Sequence, residues 1–315
     1  AAQHVISTQP IFEVTTATIR DVEYKVFKNV PPNIPALLET SRTAQMDGAA
    51  DYLVYEDERW TYDEFCADVN RMAHVLSRDL AVKAGDPVAI AMRNYPELLI
   101  LCMAIASVGA VTVFVNAWWT TEELDYALKD SGAKTVFADG ERITRLLPLV
   151  DGLGLRLIGV RDGEAMAAAS YSKLRGAMPD TSWPHVEIHP EDDFAVMYSS
   201  GTTGHPKGVV QTHRGAINAV YTWLMQAAIA PLVTPPDPDA PPARGGLGQS
   251  GGRSALYQRR VCLAAGPDPR GLAADGVKRD VDVDRLTRPR AHRRGQRAAR
   301  YRDPSGGSCI HEHHQ

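Results

Sequence analysis

Cysteine is scarce in this sequence. Four cysteines occur among 315 residues, at positions 66, 102, 262 and 309, and no two of them form a Cys-x-x-Cys pair. That number and spacing argue against a disulfide framework and against a cysteine zinc site. The cysteine content therefore indicates a reducing, cytoplasmic compartment.

Long uncharged segments are also rare. Residues 1–30 mix charged and apolar side chains, so no secretory signal is expected. Leu98–Val115 is uncharged over 18 positions, which is the threshold length for crossing a bilayer. Gly109 divides this run, however, and its second half is β-branched and aromatic. A buried helix followed by a buried strand is therefore preferred to a membrane span.

Several residue types disappear after residue 243. The last 72 residues contain no Phe, Trp, Met or Asn, and they contain 14 arginines against a single lysine. Their 15 basic and 7 acidic side chains give a balance of +8, whereas residues 1–243 have 19 and 31, a balance of −12. The eight residues 235–242 include five prolines, which exclude helix and inner strand.

Two interpretations of this tail remain open. It could be a disordered basic arm that binds nucleic acid or an acidic membrane. It could also be an out-of-frame translation of a GC-rich gene, which enriches Arg, Ala, Gly and Pro. The abrupt change favours the frameshift, and few aromatic residues are available to stack on bases. A nucleic-acid partner is therefore not expected.

The sequence before this tail alternates between helical and apolar extended segments. Thr61 with Glu64, and Thr120 with Glu123, have the spacing of helix-starting capping boxes. Short apolar strands that alternate with helices are typical of parallel sheets covered on both faces. The predicted fold class is a doubly wound, largely parallel α/β sheet, followed by a disordered tail. The predicted strands are Pro87–Met92, Val111–Asn116, Thr135–Ala138, Leu155–Val160, Phe194–Tyr198 and Gly208–Gln211.

This pattern divides the chain into four parts. The prediction is an N-terminal extension (1–19), the N-terminal part of an α/β domain (20–230), a Pro-rich linker (231–243) and a low-complexity tail (244–315). Within the second part, a short Ala-rich helix is predicted near Glu164–Ser170. A longer helix is predicted from about His213 to Ile229.

A hydroxyl- and glycine-rich loop follows the strand that ends at Tyr198. Tyr198–Gly208 reads Tyr-Ser-Ser-Gly-Thr-Thr-Gly-His-Pro-Lys-Gly. Hydroxyls, glycines that permit positive φ and one lysine together suit a phosphate chain. A flexible linker is the weaker alternative, because linkers seldom carry Pro-Lys-Gly before two valines. The predicted phosphate-binding residues are Ser199, Ser200, Gly201, Thr202, Thr203, Gly204 and Lys207.

This loop, with Thr212-His213 after it, closely resembles the signature loop of the AMP-forming acyl-CoA synthetases, members of the adenylate-forming ligase superfamily. Trp60-Thr61-Tyr62, Gly85–Ile90 and Ala104–Asn116 resemble the family's early hairpin and first α/β layer. The resemblance covers roughly residues 20–242, and it implies that residues 20–230 are the N-terminal α/β part of an AMP-binding domain. Within the superfamily, a ligase for a fatty acid or a related carboxylate is the first choice.

The resemblance implies a two-step reaction with ATP, Mg²⁺ and coenzyme A. A carboxylic acid is first converted to an acyl-adenylate and then to an acyl-CoA, while the loop holds the β- and γ-phosphates. No residue can be assigned a catalytic role from the sequence, and no metal-ligating residue is predicted. No oligomeric state or acyl chain length is predicted.

The sequence departs from the family after Pro242. Neither the family's Tyr-Gly-x-Thr-Glu element nor its Thr-Gly-Asp element occurs. The resemblance therefore implies a truncated or frameshifted ligase that is impaired or inactive. The alternative is a non-catalytic remnant, or a binding protein that uses its basic tail.

Other candidate residues have simpler explanations. His213 is expected to start a helix rather than to act as a catalyst, and Trp118-Trp119 to pack at a strand end rather than to line an acyl pocket. Cys66 and Cys102 are expected to be buried within helices. Three histidines near the end could chelate a metal, but the composition of the tail argues against it (His311, His313 and His314).

Overall fold

The computed structural model describes residues 1–44, 48–199 and 206–233, which all belong to one compact unit. The α-helices in this part of the chain are α1 (Ala2–Thr8), α2 (Ile34–Ala44), α3 (Tyr62–His74), α4 (Pro96–Ser107), α5 (Thr121–Ser131), α6 (Gly140–Leu146), α7 (Val150–Leu153), α8 (Tyr171–Ala177) and α9 (His213–Val233). The strands are β1 (Val14–Ile19), β2 (Val22–Phe27), β3 (Asp51–Tyr55), β4 (Glu58–Thr61), β5 (Pro87–Ala91), β6 (Val111–Phe114), β7 (Thr135–Ala138), β8 (Arg156–Gly159), β9 (Ala169–Ser170), β10 (Asp193–Ser199) and β11 (Lys207–Thr212).

The central sheet of the described chain has seven strands, in the order β11-β10-β6-β5-β7-β8-β9. Every neighbouring pair is parallel except β10 and β11, which are antiparallel. The chain runs from β5 to β6 on one side and then returns to β7 on the other side of β5. This topology confirms the predicted doubly wound, largely parallel α/β sheet.

Helices cover both faces of this sheet. Along β5, Val88 and Ile90 pack into one apolar cluster with residues of α3 and α4. The alternate residues, Ala89 and Ala91, pack into a second cluster with residues of α5 and α6. Because successive side chains of a strand point to opposite faces, β5 is apolar at nearly every position.

The predicted helix starts are confirmed at α3 and α5. The Thr61 hydroxyl accepts from the Glu64 N–H at 3.2 Å, and Glu64 Oε2 accepts from the Thr61 N–H at 2.9 Å. Thr120 and Glu123 repeat this reciprocal pair at α5, which ends at Gly132 with φ of 72°. These bonds satisfy N–H groups that have no partner inside the helix.

The uncharged run Leu98–Val115 folds as the buried α4 followed by the buried β6, as predicted. Cys102 on α4 and Cys66 on α3 are both buried, also as predicted. Burial raises the pKa of the Cys102 thiol to about 12 and that of Cys66 to about 11. Neither sulfur is therefore a thiolate nucleophile near neutral pH.

The helix predicted at Glu164–Ser170 is wrong. In the structure, residues 164–168 form turns, Ala169 pairs with Ile158 in the sheet, and the helix follows as α8. The Glu164 carboxylate accepts from the Ser172 N–H at 2.8 Å, and Ser170 caps α8. Strand pairing and capping thus outweigh the helix propensity of the alanines.

Helix α9 extends beyond the predicted end at Ile229 and includes Pro231 in its last turn. Near a helix end, a proline disrupts few intrahelical bonds, so the helix can continue to Val233. In the described part of the chain, α9 is also the only helix long and apolar enough to cross a membrane. One side of it packs against Val5, Phe12 and Phe27.

The predicted boundaries at residues 19/20 and 230/231 stay predictions. The structure shows which elements contain these residues. Residue 20 lies in the turn between β1 and β2, and Val5 and Phe12 pack with α9, so residues 1–19 are continuous with the folded unit. The linker prediction begins inside α9. The rest of the linker and the tail at 244–315 lie outside the described residues.

Candidate functional site

The predicted phosphate loop connects the two antiparallel strands β10 and β11. Ser199 ends β10 and faces Lys207, the first residue of β11, in the strand register. This arrangement confirms the predicted strand–loop–strand context, which differs from the strand–loop–helix of a Walker loop. Of the predicted phosphate-binding residues, the structure describes only Ser199 and Lys207. The other predicted residues lie outside the described residues: Ser200, Gly201, Thr202, Thr203 and Gly204.

The loop starts at the carboxyl edge of the parallel sheet. Strand β10 runs parallel to β6, with Met197 opposite Phe114, and β6 runs parallel to β5. The carboxyl ends of these strands therefore lie at the same edge. Open α/β sheets bind their ligands at this edge, in the crevice where the strand order reverses. That reversal occurs here between β5 and β7.

Lys207 is a positively charged residue at the end of the loop, where β11 begins. Its side chain is exposed, and among the described residues it has no carboxylate partner. An ammonium group that is free of ion pairs can donate its hydrogen bonds to phosphate oxygens. The geometry therefore suits the end of a phosphate chain at this position.

The strand that leads into the loop is anchored by Tyr198. Its hydroxyl donates to the Asp130 carboxylate at 2.7 Å, and its ring meets Trp119 edge-on at 5.6 Å between centroids. Burial and the neighbouring Asp130 both raise the pKa of this tyrosine, so it stays protonated. Helix α5, which carries Asp130, thus holds the base of the loop.

Gly208 on β11 packs against Tyr198 at the base of the loop. It lies opposite Tyr198 in the strand register, and a Cβ placed there would be 3.0 Å from Val196 Cγ1 and 3.3 Å from the Tyr198 ring. A glycine at this position therefore lets β11 approach the tyrosine closely. Sequence reasoning included Gly208 in the motif but not this packing role.

A buried ion pair lies at the carboxyl edge between β5 and β7. Asp139 and Arg142 are 1% and 2% exposed, and Arg142 Nη1 lies 3.3 Å from Asp139 Oδ2. Asp139 also caps α6 and accepts from the Arg93 N–H at 3.0 Å, which ties the end of β5 to the end of β7. Arg142 Nε donates to the Ala117 carbonyl at 2.7 Å. Sequence reasoning missed this pair, although an Asp at a helix N-cap was its signal.

The tryptophan pair has two different environments. Trp119 is buried against Tyr198, which confirms the prediction of packing at a strand end. Trp118 is 61% exposed, and the guanidinium carbons of Arg93 and Arg142 lie 5.8 and 5.5 Å from its ring centroid. Cation–π contacts of this kind fix an exposed ring.

His213 begins α9 and is fully buried, which confirms that it is a helix-start residue. Its Nδ1 accepts from the Ile34 N–H at 3.2 Å, and its ring lies 5.4 Å from that of Phe194. Burial lowers the pKa of His213 to about 4, and the nearby Asp192 carboxylate opposes this shift. The imidazole is therefore neutral near pH 7 and ties α9 to α2.

Acid is expected to destabilise the fold through His213. Between pH 6.5 and about pH 4 the unfolded chain binds a proton that the folded chain excludes. The free energy of unfolding should therefore fall as the pH falls through this window, by up to about 3 kcal/mol. His213→Asn keeps an acceptor for Ile34 but cannot titrate, so it should flatten this dependence. Urea unfolding at several pH values measures the effect.

His189→Asn is the matched control, because the His189 side chain is 67% exposed. It should leave the pH dependence of stability as in the unmodified chain. An equal pH dependence in the His213→Asn variant would show that His213 does not control acid stability.

Metal ligands are not grouped in the described residues, where no three His, Cys, Asp or Glu side chains are arranged to hold an ion. The candidate histidines of the tail, His311, His313 and His314, lie outside the described residues.

Comparison with known proteins agrees with this arrangement of fold and loop. Residues 40–237 match the AMP-binding enzyme family, and the chain belongs to that family. It is 36% identical over 169 residues to the long-chain-fatty-acid–CoA ligase FadD13 of Mycobacterium tuberculosis (strain ATCC 25618 / H37Rv), covering 53% of this chain and 32% of that protein. It is 30% identical over 185 residues to a 4-coumarate–CoA ligase of Vanilla planifolia, covering 58% and 32%. The chain thus spans about a third of the length of these curated relatives.

Solved structures show the same fold. The anthranilate CoA ligase AuaEII, solved in complex with anthranoyl-AMP, matches with a TM-score of 0.53 and 23% identity over 64% of this chain and 37% of that chain. A putative long-chain-fatty-acid CoA ligase from Rhodopseudomonas palustris CGA009 matches with a TM-score of 0.52 and 22% identity over 64% and 48%. At these identities the likeness concerns the fold alone.

Proposed function

We propose that this chain carries the phosphate-binding part of the active site of an AMP-forming acyl-CoA ligase, with a fatty acid as the first-choice substrate. The observation that supports this most strongly is the loop sequence 199–207, which leaves a parallel strand at the carboxyl edge of the sheet and returns antiparallel. The family match spans this whole segment. The similarity to a long-chain-fatty-acid–CoA ligase supports the substrate class.

The proposed chemistry has two balanced steps. A carboxylate oxygen of the acid forms a bond to the α-phosphorus of ATP, and the bond from that phosphorus to the bridging oxygen breaks, which releases pyrophosphate. The thiol sulfur of coenzyme A, after losing its proton, then attacks the acyl carbon and displaces AMP. Positioning and neutralisation of charge supply most of the catalysis in the first step.

The chain's own contribution would be to hold the leaving pyrophosphate. Lys207 would donate to its oxygens, together with the hydroxyls of Ser199, Ser200, Thr202 and Thr203 and the N–H groups of the two glycines. Mg²⁺ would add charge neutralisation when it is bound with ATP. The Tyr198–Asp130 hydrogen bond would keep the loop base fixed while the pyrophosphate leaves.

We also propose that this polypeptide turns over poorly. The family's Tyr-Gly-x-Thr-Glu and Thr-Gly-Asp elements, which the resemblance assigns to adenine, the metal and ribose, do not occur in the sequence. The phosphate loop by itself would contact only the phosphate end of ATP. The scarcity of cysteine supports a cytoplasmic location as part of this proposal.

The test is a pyrophosphate-release assay with Mg²⁺, ATP and a series of fatty acids, alongside calorimetry with Mg²⁺–pyrophosphate. The expected result is measurable pyrophosphate binding with little or no acid-dependent release. Rapid release would contradict the proposed impairment. Absence of pyrophosphate binding would contradict the proposed role of the loop, and salt-sensitive binding of RNA through residues 244–315 would then favour the basic-tail alternative.

The coding DNA gives an independent test of the frameshift hypothesis. Translation of the region after codon 243 in the other two frames should recover the missing elements. A protein expressed from the repaired frame should then convert fatty acid and coenzyme A to acyl-CoA. If neither frame encodes Thr-Gly-Asp or Tyr-Gly-x-Thr-Glu, the frameshift hypothesis is wrong.

A further inference from the structure

A hollow of about 770 Å³ lies at the edge of the sheet opposite the phosphate loop. The first residues of four parallel strands line it, namely Pro87 of β5, Thr135 of β7, Arg156 of β8 and Ala169 of β9. These strands are two to five residues long. In the strands of four and five residues, the first residue lies about 10–13 Å from the last one at the carboxyl edge, at ~3.3 Å per residue. A ligand here is therefore separate from a nucleotide at the loop.

The walls of this hollow are largely apolar. Leu80, Val82 and Val150 contribute side chains, and Leu147 and Met166 stand at the rim. Leu147 is 49% and Met166 41% exposed, so two large apolar side chains face solvent beside one opening. These side chains supply apolar surface that a hydrocarbon chain could cover.

Two cations accompany these apolar walls. Lys134 Nζ donates to the Leu153 carbonyl at 2.8 Å, and Arg156 Nη1 donates to the Leu80 carbonyl at 2.6 Å. Among the described ion pairs neither cation has a carboxylate partner. The carbonyl acceptors are neutral, so they hold the two side chains in place without cancelling their charge.

One carboxylate also lines the hollow. Asp86 Oδ2 accepts from the Lys83 N–H at 2.8 Å, within the turn that leads into β5. The lining side chains therefore carry two positive charges and one negative charge. The remaining donors of Lys134 and Arg156 are available to an anion, while the apolar walls suit a hydrocarbon chain.

We propose that this hollow binds an amphiphile with a linear alkyl chain and a single anionic head group. The alkyl chain lies along the apolar walls, and the head group accepts hydrogen bonds from Lys134 and Arg156. The inference rests on the geometry of the amino edge and does not depend on the proposed ligase function. It predicts a second ligand site that is distinct from the nucleotide loop.

Calorimetry on the full chain with three eight-carbon probes tests this proposal. Octanoate and octyl phosphate should bind, with their relative affinity identifying the preferred head group, and octyltrimethylammonium should bind at least tenfold more weakly. The double variant Lys134→Gln/Arg156→Gln should bind octanoate about tenfold more weakly, because each lost charge-assisted bond reduces affinity. Arg156→Lys keeps the charge and should retain most of the binding.

Arg59→Gln/Lys173→Gln is the matched control, since Arg59 also donates to main-chain carbonyls and both residues lie outside the hollow. Circular dichroism confirms that each variant is folded. Equal affinity for octanoate and octyltrimethylammonium would overturn the proposal. So would unchanged octanoate binding in the folded double variant, or no octanoate binding at millimolar concentration.

Discussion

Replacing Lys207 by alanine is expected to weaken the binding of Mg²⁺–pyrophosphate by about 10- to 100-fold. The side chain is an exposed cation at the start of β11, opposite Ser199 and without a carboxylate partner among the described residues. A hydrogen bond from a charged donor contributes about 1.5–3 kcal/mol, which corresponds to that loss. Isothermal calorimetry with pyrophosphate and with ATP measures it.

Lys25→Ala is the control for this variant. Lys25 is also an exposed lysine on a strand, and it is far from the loop in the sequence. It should bind pyrophosphate as the unmodified chain does. Lys207→Arg should recover part of the affinity, since the charge is kept while the donor geometry changes. Equal binding by Lys207→Ala and the unmodified chain would exclude Lys207 from the phosphate site.

Replacing Asp139 by alanine is expected to lower the free energy of unfolding by about 3–5 kcal/mol. The substitution leaves the buried guanidinium of Arg142 with only the partly exposed Glu141 carboxylate, whose Oε2 lies 3.0 Å from Arg142 Nη1. It also removes the α6 cap and the acceptor for the Arg93 N–H. Breaking one half of a buried pair is costly because the remaining charge stays out of water. Such a loss is a large fraction of the stability of most domains.

Urea unfolding measures this effect, with Asp125→Ala as the control. Asp125 pairs with Lys129 on the exposed side of α5, and its loss should change stability by less than about 1 kcal/mol. Asp139→Ala/Arg142→Met should be more stable than Asp139→Ala alone, since it removes the buried charge that has lost its buried partner. If Asp139→Ala and Asp125→Ala are equally stable, the buried pair does not hold the β5 and β7 ends together.

Much of the fold could be predicted because local patterns and the tertiary structure agree. The β5 sequence is apolar on both faces, and the Thr61–Glu64 spacing satisfies a capping box whatever surrounds it. The prediction at Glu164–Ser170 was wrong because alanines favour a helix only until a neighbouring strand offers pairing. Ile158 offers that pairing to Ala169, and no local signal reveals it.

The sequence by itself determined the family and the α/β class, and it predicts the phosphate-loop residues, because each depends on residue types at fixed spacing along the chain. The tertiary structure decided which groups meet across long separations. It placed Asp130 on the Tyr198 hydroxyl, buried Asp139 with Arg142 at the end of β7, and put Lys134 and Arg156 beside one hollow. These contacts depend on strand order and helix packing, which bring together residues that no short pattern connects.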